Sequence, residues 1–414
     1  MEETDTVVVG AGQAGLAMSA HLSANDISHI VLERDRIAEA WRTSRWDSLV
    51  ANGPAWHDRF PALEIEGIDP HSFAAKDRMA QYFEDFARKI DAPIRCGVSV
   101  SLVTRRQNES GFVVETSEGS ISASNVVAAT GPFQSPIIPP IVPEIEGIVQ
   151  MHSNSYRNPD QLEPGGVLVI GAGSSGTQIA EELMRAGRNI WLSVGPHNRP
   201  PRAYRGLDFC WWLGVLREWD VPTLDPATAH ITIAVSGANG GKTVDFRNLA
   251  NQGMTLVGMA EGFADGVLRF APDLADNIRR GDENHLGMLA RADAYAAENG
   301  LNLPEEPEAH RIGPDPDCVT NPVLELDLAG NGITTILWAT GYATDFSWLQ
   351  VNALDESGKP AHHRGVSTAP GVYFLGLPWL SRRASSFIWG VWHDAKFLAD
   401  HIDQRRKYLA HPGS

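Results

Sequence analysis

A glycine-rich turn of the form GxGxxG occurs twice, and this repeat limits the possible folds more than any other feature of the chain. Val7-Val8-Val9-Gly10-Ala11-Gly12-Gln13-Ala14-Gly15 returns as Val167-Leu168-Val169-Ile170-Gly171-Ala172-Gly173-Ser174-Ser175-Gly176. Each copy follows a short apolar run that reads as a buried strand. Each precedes a stretch with helical character, over 16–23 and 177–185, and then a second apolar strand, over 29–32 and 189–192. Strand, glycine turn, helix and strand in that order are what give the motif meaning as a dinucleotide site. A second pair supports the repeat. Val126-Val127-Ala128-Ala129-Thr130-Gly131 is echoed by Thr335-Ile336-Leu337-Trp338-Ala339-Thr340-Gly341-Tyr342.

The three glycines of the first turn have separate physical duties. Gly10 permits the tight turn, Gly12 lets backbone approach a pyrophosphate, and Gly15 lets helix pack on strand. The helix then starts at Gln13 and Ala14, offering free N–H groups and the positive end of its dipole to phosphate. Glu33 ends the next strand, 23 residues after Gly10, where a carboxylate can accept from both ribose hydroxyls. With Arg34 beside it, it is the expected ribose position.

The second turn, with Gly171, Gly173, Ser174, Ser175 and Gly176, lacks that acid. The matching positions are Ser193 and Val194. A 2′-phosphate would meet no repulsion, and Arg199 or Arg202 could pair with it. This favours NADPH without excluding NADH; the alternative is that both arginines face solvent.

Composition fits an ordinary globular enzyme. The chain has 414 residues, 43% apolar and 21% charged. At ~150 residues per domain it holds two or three domains. With 34 Lys and Arg against 51 Asp and Glu, the net charge is −17, which argues against a nucleic-acid partner. No apolar run reaches the ~20 residues of a membrane span. The acidic start, Met-Glu-Glu-Thr-Asp, and three scattered cysteines (Cys96, Cys210, Cys318) point to a cytoplasmic protein without a redox CxxC pair. Near-motifs fail. Ser236 to Thr243 approaches a P-loop but has Ser where the first Gly is required, and His362-His363, His393 and His401 lack metal-ligand spacing.

The expected fold class is therefore α/β, with two Rossmann-like dinucleotide-binding domains. The first dinucleotide domain spans 1–160 and 325–414, and the NAD(P)H domain, 161–324, is inserted between them. The Pro-rich stretch 132–143 reads as an extended connector. Further helices are expected over 274–280 and 286–298.

These residues resemble the flavin-containing monooxygenases, within the class B flavoprotein monooxygenases. The likeness rests on the two glycine turns, the two Ala-Thr-Gly strands, and the version Ala339-Thr340-Gly341-Tyr342. Trp41-Arg42 and Arg45-Trp46-Asp47 are similar to the family segment beside the flavin. Asn52-Gly53-Pro54 is similar to the segment bearing the family's active-site asparagine. The inter-domain fingerprint is matched in His152 to Tyr156, although Gly147 to His152 is one residue long and Ile145 replaces Phe. Tyr156, where Baeyer–Villiger enzymes usually carry Trp, leans toward heteroatom oxygenation.

The resemblance implies FAD and a nicotinamide cofactor, with O2 and a small organic molecule as substrates. It implies N- or S-oxygenation through a C4a-(hydro)peroxyflavin, with Asn52 donating to the peroxide. Thr130, Gly131, Thr340 and Gly341 are expected around the cofactors, together with Trp41, Arg42 and Trp46. Ser386 is expected at the opening of a last helix aimed at the flavin. Trp379, Trp389 and Trp392 are read either as pocket lining or as core. Rival readings are a Baeyer–Villiger enzyme acting on ketones, a flavin reductase serving a partner, and a flavin-binding sensor. A homodimer is left open.

Overall fold

A computed structural model describes residues 1–107, 110–223 and 232–411. In chain order the principal elements of the first part are β1 (Glu2–Val9), α1 (Gln13–Ala24), β2 (His29–Glu33), α2 (Lys76–Lys89), β3 (Ile94–Cys96), β4 (Val100–Arg105), β5 (Phe112–Thr116) and β6 (Gly119–Ala128). There follow β7 (Val149–His152), β8 (Gly166–Ile170), α3 (Ser174–Arg185), β9 (Ile190–Ser193), β10 (His197–Asn198), β11 (Thr232–Ile233), β12 (Thr255–Val257), α4 (Leu274–Glu298) and β13 (Ile333–Trp338). The chain closes with β14 (His362–His363), β15 (Val366–Ser367), β16 (Val372–Phe374) and α5 (Ile388–Leu409).

Two sheets divide these strands. The first runs β14-β15-β16-β6-β1-β2-β3, with the β4–β5 hairpin attached to β6. Its centre is parallel, Val7 lying opposite Ile30 on one side and Val126 on the other. The second sheet runs β12-β9-β8-β13-β7 and is parallel throughout. Central strands covered on both faces should be apolar along their whole length rather than alternating. Val7 and Val8 of β1 and every residue of β8 are buried. Beneath the first sheet, Phe60 packs on Phe86 and Trp392, with ring centroids 4.6 and 5.3 Å apart, so Trp392 is core.

The expected boundaries need correction. β7 and β13 belong to the second sheet, although they fall within the stretches 1–160 and 325–414 assigned to the flavin domain. Trp338 of β13 lies opposite Ile170 of β8, the same relation that Ala128 has to Val9 in the first sheet. The Ala-Thr-Gly strand is thus part of each module, and the second module carries its own copy. The strands of the second sheet span residues 149 to 338.

The expected pair of helices over 274–298 is also one continuous helix, α4. Gly281 does not break it. A Cβ there would lie 2.4 Å from His197 Nε2, so the glycine serves close approach of the helix to β10.

The two Ala-Thr-Gly tails meet between the domains. Ser135–Pro136 pairs with Tyr342–Ala343, and the stretch 132–143 forms no helix. Here His152 Nε2 donates to the carbonyl of Gly341 at 3.0 Å, and burial holds the ring below the usual histidine range.

Candidate functional site

The first glycine turn forms an open cradle. Gly10 has φ +106°, and a Cβ there would stand 2.7 Å from the carbonyl of Ala129. At Gly15 a Cβ would lie 1.8 Å from the carbonyl of Gly10, which is why the helix can seat directly on the strand. At Gly12 a Cβ would meet nothing within 4 Å, so the position faces free space. No side chain caps α1, leaving its first N–H groups to an anion. Glu33 stands at this turn, its Oε2 accepting from Ala11 N at 2.8 Å. Gln13 Nε2 donates to the carbonyl of Ser386 at 2.7 Å. The open glycine, the uncapped helix and the acid at the end of β2 fit a dinucleotide.

The segment Ser385 to Gly390 contains the start of the last helix, with Ser386 just ahead of it. Ser386 ends a short 3-10 turn, Arg383–Ser386, and α5 begins at Ile388. Arg34 is exposed and lies beside Asp35. Arg42 pairs with Glu84 at 2.6 Å. Trp41 packs near Phe83, with centroids 6.3 Å apart. Trp46 is buried in the second domain's core together with Tyr156 and Leu162, so it joins the domains rather than lining the first cradle. Tyr156 is buried and donates to Glu182 Oε2 at 2.7 Å; burial and that carboxylate push its phenol well above the usual range. Gln134 Nε2 bonds Thr130 Oγ1 and the carbonyl of Gly131. Thr340 Oγ1 donates to the carbonyl of Ile137.

The second turn repeats the construction, with Gly171 at φ +106° and Gly176 against the carbonyl of Gly171. Helix α3 likewise has no side-chain cap. Unlike Gly12, Gly173 does not face open space, because a Cβ there would be 2.7 Å from Thr232 Cγ2. Strand β11 lies across the turn, and Ser174 Oγ donates to the carbonyl of Ile233 at 2.9 Å. Ser175 follows on the first turn of α3. Ser193, at the end of β9, donates to the carbonyl of Gly258.

Arg199 and Arg202 are not free for a 2′-phosphate. Arg199 is 5% exposed. Its Nη2 lies 2.6 Å from Asp282 Oδ1, while Arg247 holds the other carboxylate oxygen at 2.8 Å. Arg202 is 2% exposed and pairs with Asp208. A buried guanidinium needs such a partner, and neither carboxylate stands at a spacing that marks it as one in the sequence.

Asn52 stands where the domains meet. Its Oδ1 accepts from Gln178 Nε2 of α3 at 2.9 Å, and its carbonyl accepts from Arg202 Nη1 at 2.5 Å. Asn52 itself is exposed. With Oδ1 engaged, the amide donors of Nδ2 are the end left free to donate. Sequence reasoning missed Gln178, which reads only as a polar residue two places after Gly176. The P-loop-like segment has its explanation here as well. Cβ atoms at Gly237 and Gly241 would collide with Phe73, and one at Gly237 with the carbonyl of Ala51, so these glycines let the second domain close on the Asn52 turn.

Among the described residues no group of side chains could hold a metal, and no helix is long and apolar enough to cross a membrane. The three cysteines are unpaired, Cys210 buried and Cys96 exposed. Burial raises the Cys210 thiol well above its usual range.

Two cradles, each at the parallel strands of its own sheet, one domain inserted in the other, define a flavoprotein oxidoreductase that uses a nicotinamide nucleotide and FAD. Residues 7–202 match the pyridine nucleotide-disulphide oxidoreductase family. A doubly substituted form of a flavin monooxygenase from Stenotrophomonas maltophilia superposes with a TM-score of 0.67 at 19% identity, covering 98% of this chain and all of that one. The rice indole-3-pyruvate monooxygenase YUCCA1 is 28% identical over 66% of this chain and 71% of its own length. A CzcO-like oxidoreductase of Geobacillus kaustophilus is 34% identical over 403 residues, 96% of this chain and 98% of the relative. The chain belongs to this family of CzcO-like oxidoreductases, and the resemblance to the flavin-containing monooxygenases holds in sequence and in fold.

Proposed function

We propose that the enzyme consumes NAD(P)H and O2 and places one oxygen atom on the nitrogen or sulfur of a small organic molecule. FAD held along the first turn by Gly12, the start of α1 and Glu33 would supply the hydride acceptance and the reactivity toward O2. The chain's own residues bind, orient and shield. Gly12 and the uncapped start of α1 receive the FAD pyrophosphate, and Glu33 receives the ribose. The second turn, at Gly171 and Ser174, receives the nicotinamide nucleotide. The end of β9 carries Ser193 and no acid, which leaves NADPH accepted at least as well as NADH.

The observation that carries this reading is the seat of Asn52. A neutral amide held through its oxygen by Gln178 keeps its Nδ2 donors free and supplies a donor without a titrating proton. That suits reduced oxygen, which must be kept from premature protonation. The lack of a cysteine pair weighs against a disulfide reductase on the same fold.

The test is isotopic. With 18O2, NADPH and a panel of tertiary amines and thioethers, one labelled oxygen should enter product for each NADPH oxidised. Label found only in hydrogen peroxide across amines, thioethers and ketones would exclude the reading; label in an ester from a ketone would move the enzyme to the Baeyer–Villiger class.

A further inference from the structure

Beyond the Asn52 turn lies a histidine–aspartate pair that the proposed reaction does not use. His57 is 6% exposed, and its Nδ1 lies 2.8 Å from Asp58 Oδ1. Asp58 Oδ2 accepts from Gly53 N, also at 2.8 Å, so one carboxylate holds both the turn and the ring. An ionised carboxylate can only accept. Nδ1 therefore donates to it, and the tautomer with a single proton on Nδ1 leaves Nε2 as an acceptor. That Nε2 is buried and has no partner among the described residues.

The surroundings are aromatic. Trp219 stacks on the imidazole, with centroids 5.3 Å apart and planes at 23°. Its Nε1, a donor, is also buried without a partner among the described residues. Trp56 meets His57 edge-on at 5.4 Å. Phe387 lies 5.2 Å from Trp219 and Trp389 6.4 Å from His57. Phe387 and Trp389 are 40% and 36% exposed. They follow Ser386, whose carbonyl is tied to Gln13 of the first cradle. The cluster thus runs from the Asn52 turn to the start of α1 at the first cradle.

A buried acceptor left unmet is costly, and native interiors rarely keep one without a reason. Flat aromatic walls with one fixed polar atom are the usual make-up of a site for a flat ligand. We propose that this cluster is the substrate subsite, and that it takes a planar aromatic compound whose N–H or O–H donates to His57 Nε2. Asp58 is a positioning residue, fixing the tautomer that makes Nε2 an acceptor. The assignment rests on the monooxygenase reading for the fate of the ligand, not for its binding.

Calorimetry on the flavin-loaded protein tests it, using 2-naphthol and 2-methoxynaphthalene, which differ in the donor. The wild-type protein should bind 2-naphthol about tenfold more tightly, the worth of one hydrogen bond. His57→Phe keeps the ring stack and removes the acceptor, and should bring the two affinities together. His57→Gln, which restores an acceptor, should recover part of the preference. Equal affinities for the wild-type protein, no binding of either compound, or a preference that survives in His57→Phe would each overturn the assignment. The wild-type comparison decides even where a variant does not fold. Naphthol bound through His57 with no labelled oxygen entering any substrate would leave the subsite standing and remove the monooxygenase reading.

Discussion

Gln178 Nε2 donates to Asn52 Oδ1 at 2.9 Å, a bond between the helix of the second nucleotide turn and a turn of the flavin domain 126 residues earlier. Gln178 is 6% exposed and also bonds the carbonyl of Val235 at 3.2 Å. An amide gripped by its oxygen has its donors aimed the other way. The asparagine's orientation in one domain is set by the other.

Asn52→Leu should retain FAD, since the glycine turn and Glu33 lie elsewhere, while product falls and hydrogen peroxide per NADPH rises. Gln178→Leu should shift the same ratio in the same direction, less strongly. Because the two residues act as a unit, the double variant should be no worse than Asn52→Leu alone. Additive losses in peroxide assays of all three proteins would show that Gln178 does not act through Asn52.

The second and third glycines of the first turn should fail differently. At Gly12 an added side chain meets no protein atom within 4 Å, so Gly12→Val should fold normally and lose FAD. Gly15→Val would drive a Cβ to 1.8 Å from the carbonyl of Gly10 and should unfold the domain. Flavin content and thermal unfolding of the flavin-free proteins separate the two results.

Arg199→Ala should cost stability and leave the NADPH-to-NADH preference unchanged. Removing one partner of a buried pair typically costs about 3–5 kcal/mol; here Arg247 still serves Asp282, so about 2–3 kcal/mol is expected. Urea unfolding and the two Michaelis constants measure this. A selective rise in the NADPH constant would restore the arginine as a phosphate ligand.

His21 predicts an acid-sensitive stability. Burial against Trp392 and the charge of Lys396 hold its pKa at about 4, below the ordinary 6.5. In the window between those values the unfolded chain binds the extra proton. Stability therefore rises with pH across the window, is complete above the ordinary value, and is lost as pH falls toward the lowered one. His21→Phe should flatten that part of the curve, as urea midpoints taken from neutral pH down through the window would show. An unchanged slope would mean that the ring is accessible in the folded protein.

The local parts of this architecture are legible in the sequence because local chemistry dictates them. Gly10 and Gly171 are fixed by their positive-φ turns and Gly15 and Gly176 by close contacts five residues back, and the buried runs of β1 and β8 show as unbroken apolar stretches. What stays hidden depends on distant partners. Arg199 finds Asp282 eighty-three residues away, so its ion pair leaves no spacing to read. Ala339-Thr340-Gly341 is plain as an echo, but its place in the second sheet is not, since strand order is set by pairing and not by position in the chain. The length of α4 is obscured by Gly281, a residue that ends many helices and here only makes room for His197. His57 and Asp58 go unnoticed because neighbouring residues form no pattern until the fold closes an aromatic wall around them.

The joint between the domains has a mechanical meaning. The chain crosses from one domain to the other twice, once on each side of the paired segments Ser135–Pro136 and Tyr342–Ala343. Two segments paired side by side restrain the inserted domain more than a single tether would. Away from them the domains are also held by Asn158 on Asp47, Arg382 on Asp220 and Arg383 on Glu218. The Asn52–Gln178 bond belongs to the same seam, so the asparagine is oriented only where the two domains are seated on each other.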